Sequence, residues 1–115
     1  MDKTATSVRT GIPPGTLDML VLKTLRRFGA MHGYAIAKSI QLSSNDVLRV
    51  EEGSLYPALQ RILKKSWVTA EWVRVGPKRR HRIYHLTREG RKQLETEIAG
   101  YRHVARAIER VIEPV

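Results

Sequence analysis

Apolar residues recur along this chain with helical spacing in some stretches and in β-rich runs in others, and the changes between them outline its elements. Leu17, Leu20, Val21, Leu25 and Phe28 predict a first helix with a wide apolar face. Thr16 is placed to cap it, Asp18 suits its dipole, Lys23, Arg26 and Arg27 take the wetter side, and Gly29 closes it. Met31-His32-Gly33-Tyr34 reads as a tight connection into a second, shorter helix with Ala35, Ile36, Ala37 and Ile40 buried. That helix runs out in Leu42 to Asp46, and Val47 to Val50 reads as a brief extended segment. A third helix is expected over Glu51 to Lys65. Leu55, Leu59, Ile62 and Leu63 form its core stripe, with Ser54, Ala58, Arg61 and Lys65 roughly opposite and Tyr56, Gln60 and Lys64 flanking. Ser54 is its expected N-cap, which puts Pro57 in the first turn, where a missing N–H has no partner to lose. Such a helix fits a DNA major groove, and an ordinary amphipathic surface helix reads the same.

Downstream, Val68 to Val75 and Arg82 to Leu86 are β-rich, and the intervening Gly76-Pro77 argues for a turn, so the pair predicts a hairpin. Its tip would carry three consecutive bases, Lys78, Arg79 and Arg80, where a plain tip is usually mixed in sign. Thr87 caps a last helix with Glu89 in its first turn. Along that helix Leu94, Ile98, Tyr101, Ala105, Ile108 and Ile112 are spaced 4, 3, 4, 3 and 4 apart, a heptad seam. The seam is narrow and charged on both flanks, which favours pairing with a second chain over folding back on its own domain. Gly100 is a weak point, costing about 1 kcal/mol relative to alanine in a helix interior. At the other end, Met1 to Gly11 is polar and aperiodic, a mobile arm, and Ile12-Pro13-Pro14-Gly15 is a non-helical lead-in. The expected division is an arm over 1–14, a globular module over 15–87 and a pairing helix over 88–115. The fold class is mainly α with a small β-hairpin.

Charge adds a direction. Twenty-one bases against eleven acids leave a net +10, an excess that favours a polyanionic partner. Between Thr16 and Thr87 there are thirteen Lys/Arg and five Asp/Glu; from Arg88 onward there are six and five. The basic excess therefore belongs to the front part, as in a nucleic-acid module followed by a pairing helix. There is no cysteine, hence no disulfide or thiolate metal site. No apolar run approaches the roughly 18 residues of a membrane span, and a cytoplasmic protein is expected.

The element order, with a basic hairpin after the third helix, is that of a winged helix-turn-helix followed by a dimerisation helix. Gly15-Thr-Leu-Asp-Met-Leu-Val-Leu-Lys-Thr-Leu25, His32-Gly-Tyr-Ala-Ile36, Gly53-Ser-Leu-Tyr-Pro-Ala-Leu59, Trp67-Val-Thr-Ala-Glu-Trp72 and Tyr84-His-Leu-Thr-Arg-Glu-Gly90 together resemble the PadR family of bacterial transcriptional regulators. The resemblance runs from about Gly15 to Leu94, and the single last helix looks like its short-tailed branch. It implies a homodimeric, usually repressing, protein of double-stranded DNA. In the family the third helix enters the major groove and the wing reaches the adjacent minor groove or backbone. Ser54, Tyr56, Pro57, Arg61 and Lys64 fall on the matching helix, and Lys78, Arg79 and Arg80 on the wing. Arg61 is the central long donor. Some relatives suggest a small-molecule effector at the dimer interface. One departure is Ser66 where the family usually has glycine, which predicts a less clean end to the third helix.

Other chemistry finds little support. His32, His81, His85 and His103 have no metal-ligand spacing, and no nucleophile elbow, phosphate loop or HExxH motif is present. No cofactor is expected and an enzyme is the least favoured reading. Trp67 and Trp72 read as core-closing residues, with ligand platforms the rival. A winged-helix interaction module without DNA, and a nonspecific RNA binder, are the alternatives to a DNA-binding regulator.

Overall fold

The computed structural model describes residues 10–113; the first nine residues of the expected arm and the last two of the chain lie outside them. In chain order the elements are β1 (Thr10–Gly11), α1 (Leu17–Phe28), β2 (Met31–His32), α2 (Gly33–Ser43), β3 (Leu48–Arg49), α3 (Glu52–Lys64), β4 (Val68–Gly76), β5 (Arg79–Leu86) and α4 (Arg88–Ile112). This is the expected mainly helical winged helix-turn-helix with a β-hairpin and a long last helix. One core serves all of it. Val21, Leu22 and Leu25 of α1 meet Ile36 and Ile40 of α2, Leu55, Leu59 and Ile62 of α3, Val68 and Tyr84 of the sheet, and Leu94 of α4. Leu22, absent from the expected stripe of α1, is fully buried, whereas Phe28 at its end is exposed.

Three expectations need correction. Ala58 is fully buried, not on the outer side of α3. It stands three residues after Leu55 and four before Ile62, so it shares their face. Second, β5 starts at Arg79, so only Pro77 and Lys78 lie between the strands and Arg79 and Arg80 are strand residues, paired with Gly76 and Arg74. A register shift between Arg74 and Gly76 absorbs the extra residue at the hairpin's end. Third, β1 pairs in parallel with β3 although the arm has no periodic pattern. Two residues held by backbone bonds need none. β2 joins the hairpin as a third strand, with Met31 opposite Tyr84 and His32 opposite Ile83, and tethers the start of α2 to the wing.

The end of α3 is cleaner than its serine suggested. Ser66 takes φ +63, its N–H reaches the Leu63 carbonyl at 3.0 Å, and the Trp67 N–H reaches the Ile62 carbonyl at 3.0 Å. This is the double closure of a Schellman turn, made with a serine in the left-handed region. The turn is held from the other side by Thr87, whose hydroxyl lies 2.7 Å from the Ser66 carbonyl oxygen and whose N–H donates to the Trp67 carbonyl at 3.0 Å. The same hydroxyl oxygen accepts the Gly90 N–H at 3.0 Å, the expected cap of α4. Gly90 allows the approach: a Cβ there would stand 2.0 Å from the Trp67 carbonyl oxygen.

Gly90→Ala should therefore destabilise the fold by about 3 kcal/mol, since backbone on both sides resists the added methyl. Ser66→Gly should stabilise it by about 1 kcal/mol, by relieving the left-handed strain. Chemical denaturation of the two variants beside the parent protein checks both signs.

Candidate nucleic-acid interface

α3 begins one turn earlier than Ser54. Glu51 is the N-cap, in extended backbone and without a side-chain cap, and its carbonyl accepts the N–H groups of Ser54 and Leu55 at 3.0 and 2.9 Å. Ser54 is thus the third helical residue and Pro57 lies in the second turn. Proline has no N–H for the carbonyl of Gly53 four residues back, and the ring crowds that carbonyl. The site tolerates this because both residues are exposed. With Leu55, Ala58, Leu59 and Ile62 turned inward, the residues farthest from the core are Gly53, Pro57, Gln60 and Lys64. Gln60 and Gly53 belong to this face although the residue pattern did not single them out as contacts. Tyr56 is on the flank toward the wing. Its hydroxyl leans over Gly33, where an added Cβ would come within 3.2 Å of it.

Ser54 and Arg61 lie on the other flank. Arg61 reaches Asp18 of α1, with Nη2 2.8 Å from Oδ1 and Nε 3.4 Å from Oδ2. This pairing raises the guanidinium pKa, first through the hydrogen bond and then through the carboxylate charge. Arg61 is therefore engaged within the chain, unlike the free central donor the sequence suggested. Being half exposed, the pair contributes about 0–1 kcal/mol.

On the wing, Arg80 stacks over Trp72 at 4.7 Å from the ring centroid, and Arg82 lies 5.6 Å from the same ring. Trp72 is 55% exposed and does not close the core, whereas half-buried Trp67 packs against it under Lys65. Trp72 shares a face of β4 with Val68 and Ala70, which pack on the core, and is exposed because the strand has run past the core by that point. Between α3 and the wing runs an open groove of about 670 Å³. Tyr56 and Gln60 form one wall, Trp72 and Arg79 to Arg82 the other, and His32 closes one end. Among the described lining residues there is no carboxylate. The Arg82 Nε is buried without a hydrogen-bond partner.

His32 has a structural task in this groove. Its Nδ1 accepts the Ala35 N–H at 3.3 Å and caps α2, so the neutral ring carries its proton on Nε2. Burial, and then repulsion from His81, whose ring lies 4.3 Å away, lower its pKa below the ordinary value.

Along α4, Leu94 is fully buried in its own chain and Ile98 packs against the same core. Leu94 is thus unavailable to a second chain, a correction to the expected seam. The exposed apolar stripe starts at Tyr101 and continues through Val104, Ile108, Val111 and Ile112. Ala105 is half buried. The seam's first third belongs to the core because that end of the helix packs against α1, with Arg26 and Glu95 paired across the two helices. Among the described residues no cluster of His, Asp and Glu has the makings of a metal site. No described helix is long and apolar enough to cross a membrane.

Comparison with known proteins agrees with this geometry. Residues 21–96 match the profile of the transcriptional regulator PadR-like family. The chain belongs to that family. It is a family of transcriptional regulators and not of enzymes. A PadR family regulator from Eggerthella lenta superposes with TM-score 0.73 at 30% identity, over 88% of this chain and 85% of that one. A transcriptional regulator from Clostridium thermocellum superposes with TM-score 0.79 at 23% identity, over 86% and 95% of the two chains. Bacillus subtilis PadR, solved in complex with operator DNA, superposes with TM-score 0.67 at 23% identity over 76% of this chain and 48% of its own. An uncharacterized protein from Lysinibacillus sphaericus is 26% identical over 106 residues, 92% of this chain and 96% of its own.

The depressed pKa of His32 carries a stability consequence. Below its ordinary value of 6.5 the unfolded chain binds the proton more readily than the folded one, so the contribution of His32 is present above that pH and lost as pH falls through the folded value. His32→Asn keeps a good N-cap without a titrating ring. It should flatten the fall in melting temperature between neutral and mildly acidic pH; an unchanged slope would place that pH dependence elsewhere.

Proposed function

We propose that this PadR-family regulator is a sequence-specific repressor that binds duplex DNA as a homodimer. The observation that carries the reading is the juxtaposition of the polar, solvent-facing side of α3 with an arginine-lined wing and an acid-free groove between them. In this reading residues 15–87 form the DNA-binding module, and residues 88–115 supply pairing through the stripe from Tyr101 to Ile112. Ser54, Tyr56, Pro57, Gln60, Arg61 and Lys64 are the candidate contacts of α3, and Lys78, Arg79 and Arg80 those of the wing. Bases on the wing neutralise phosphates without regard to sequence, while the α3 side chains read base edges. That a family relative, Bacillus subtilis PadR, was solved on operator DNA supports the assignment.

A twofold dimer calls for an inverted repeat with half-sites about 10 base pairs apart or a multiple of that. Selection of bound duplexes from a random pool at near-physiological salt should return such a repeat, with a stoichiometry of two chains per duplex by light scattering. No enriched motif would sink the reading, leaving an interaction module. Ile108→Glu should lower both the dimer fraction and the affinity while leaving the fold of the module intact.

Arg61 adds a sharper test. Recruitment to DNA requires it to leave Asp18. If it reads a guanine, Arg61→Ala should cost about 1–3 kcal/mol on the selected site and relax one position. Asp18→Asn, which releases the guanidinium, should instead tighten binding to that site. Equal losses for Arg61→Ala on selected and random duplex would remove it from base reading.

A further inference from the structure

The groove between α3 and the wing contains more than an open cleft. Three arginines, Arg79, Arg80 and Arg82, and two imidazoles converge there with no described carboxylate to balance them. Three arginines outside the groove are paired with acids: Arg61 with Asp18, Arg26 with Glu95 and Arg49 with Glu51. Arg82 has none among its described contacts. Its guanidinium lies between the Trp72 ring, 5.6 Å away, and the Tyr84 ring, 6.0 Å away, and its buried Nε–H lacks an acceptor. A buried donor without a partner is costly to leave so, and it marks a place where an oxygen acceptor is missing. The aromatic rings hold the guanidinium in position before any ligand arrives, so little side-chain freedom remains to be lost on binding.

The position of the groove says which acceptor. When α3 lies in a major groove and the wing reaches the neighbouring minor groove, one sugar-phosphate strand must pass between them. Among the described residues, this groove is lined by both of those elements. The inference rests on the DNA-binding reading above. We propose that the groove seats one phosphodiester of that dividing strand in each half-site, with Arg82 donating to a phosphate oxygen and Trp72 packing beside the backbone. Arg82 is then a DNA-contacting residue distinct from the bases at the hairpin's end. It sets how far α3 sinks into the major groove, because its guanidinium is anchored to the core strand β5 instead of a mobile tip.

The test uses the full-length protein and the duplex it selects, with neutral methylphosphonate linkages introduced one at a time. One linkage per half-site, at the border of the α3 footprint, should weaken binding of the parent protein about tenfold. Arg82→Gln should lose a similar factor on the all-phosphate duplex, lower the slope of log affinity against log salt by about 1, and show no further loss at that one linkage. Arg74→Gln, on the partner strand but outside the groove, should keep the full methylphosphonate effect. Absence of any sensitive linkage at that border overturns the proposal without recourse to a variant, as does an Arg82→Gln loss that adds fully to the methylphosphonate loss. Arg82→Lys and a melting curve guard against misfolding; a stable lysine variant that restores full affinity would overturn the assignment to a pre-positioned guanidinium. Inorganic phosphate or a mononucleotide shifting the Arg82 Nε–H resonance at micromolar concentration would show a free-anion site instead, and would also overturn it. A parent protein that selects no duplex at all would fail the functional reading itself, a result distinguishable from all of these.

Discussion

The geometry of this protein turns on a backbone contact. The first turn of α4 lies against the Trp67 carbonyl, at a distance only a glycine at position 90 permits, and Thr87 bonds to both sides of the joint. The same few residues end α3 and start α4. The third helix and the last helix are thereby coupled through a joint with no flexible linker. In the proposed twofold dimer this joint would relate the spacing of the two last helices to that of the two third helices.

Ion pairs reinforce the arrangement in one direction and leave it open in another. Arg26 with Glu95 ties α1 to α4, and Arg61 with Asp18 ties α3 to α1. Both lie on exposed surface, where such pairs add little stability and serve instead to hold register. On the wing side, Glu71 turns to His85 at 2.7 Å, outside the residues that line the groove. The groove keeps its positive charge uncompensated within the described residues. The proposed phosphate seat rests on this local imbalance of charge.

His32 shows how closely the interior and the surface are coupled. It is a strand residue beside the wing, the cap of α2 and a wall of the groove at once. Capping through Nδ1 settles the tautomer of its neutral ring, and burial, then His81, lowers its pKa. The end of α2 nearest the groove is thus held by a ring whose surroundings favour its neutral form.

Local physics was written plainly in the chain. Helix periodicity located all four helices, the Gly-Pro turn located the hairpin, Thr87 was recognisable as a cap, and five ordered motifs pointed to the family. These features depend on residues a few positions apart, which a sequence displays directly. Tertiary structure decided the rest, because it depends on which distant groups meet. The occupation of Arg61 by Asp18 and the loss of Leu94 to its own core were set by packing between helices far apart in sequence. The left-handed serine at the end of α3 is braced by Thr87, twenty-one residues later, which bonds to its carbonyl. Arg82 resembled any other base of a strand until the fold placed it, unpartnered, between two aromatic rings in a groove without acids.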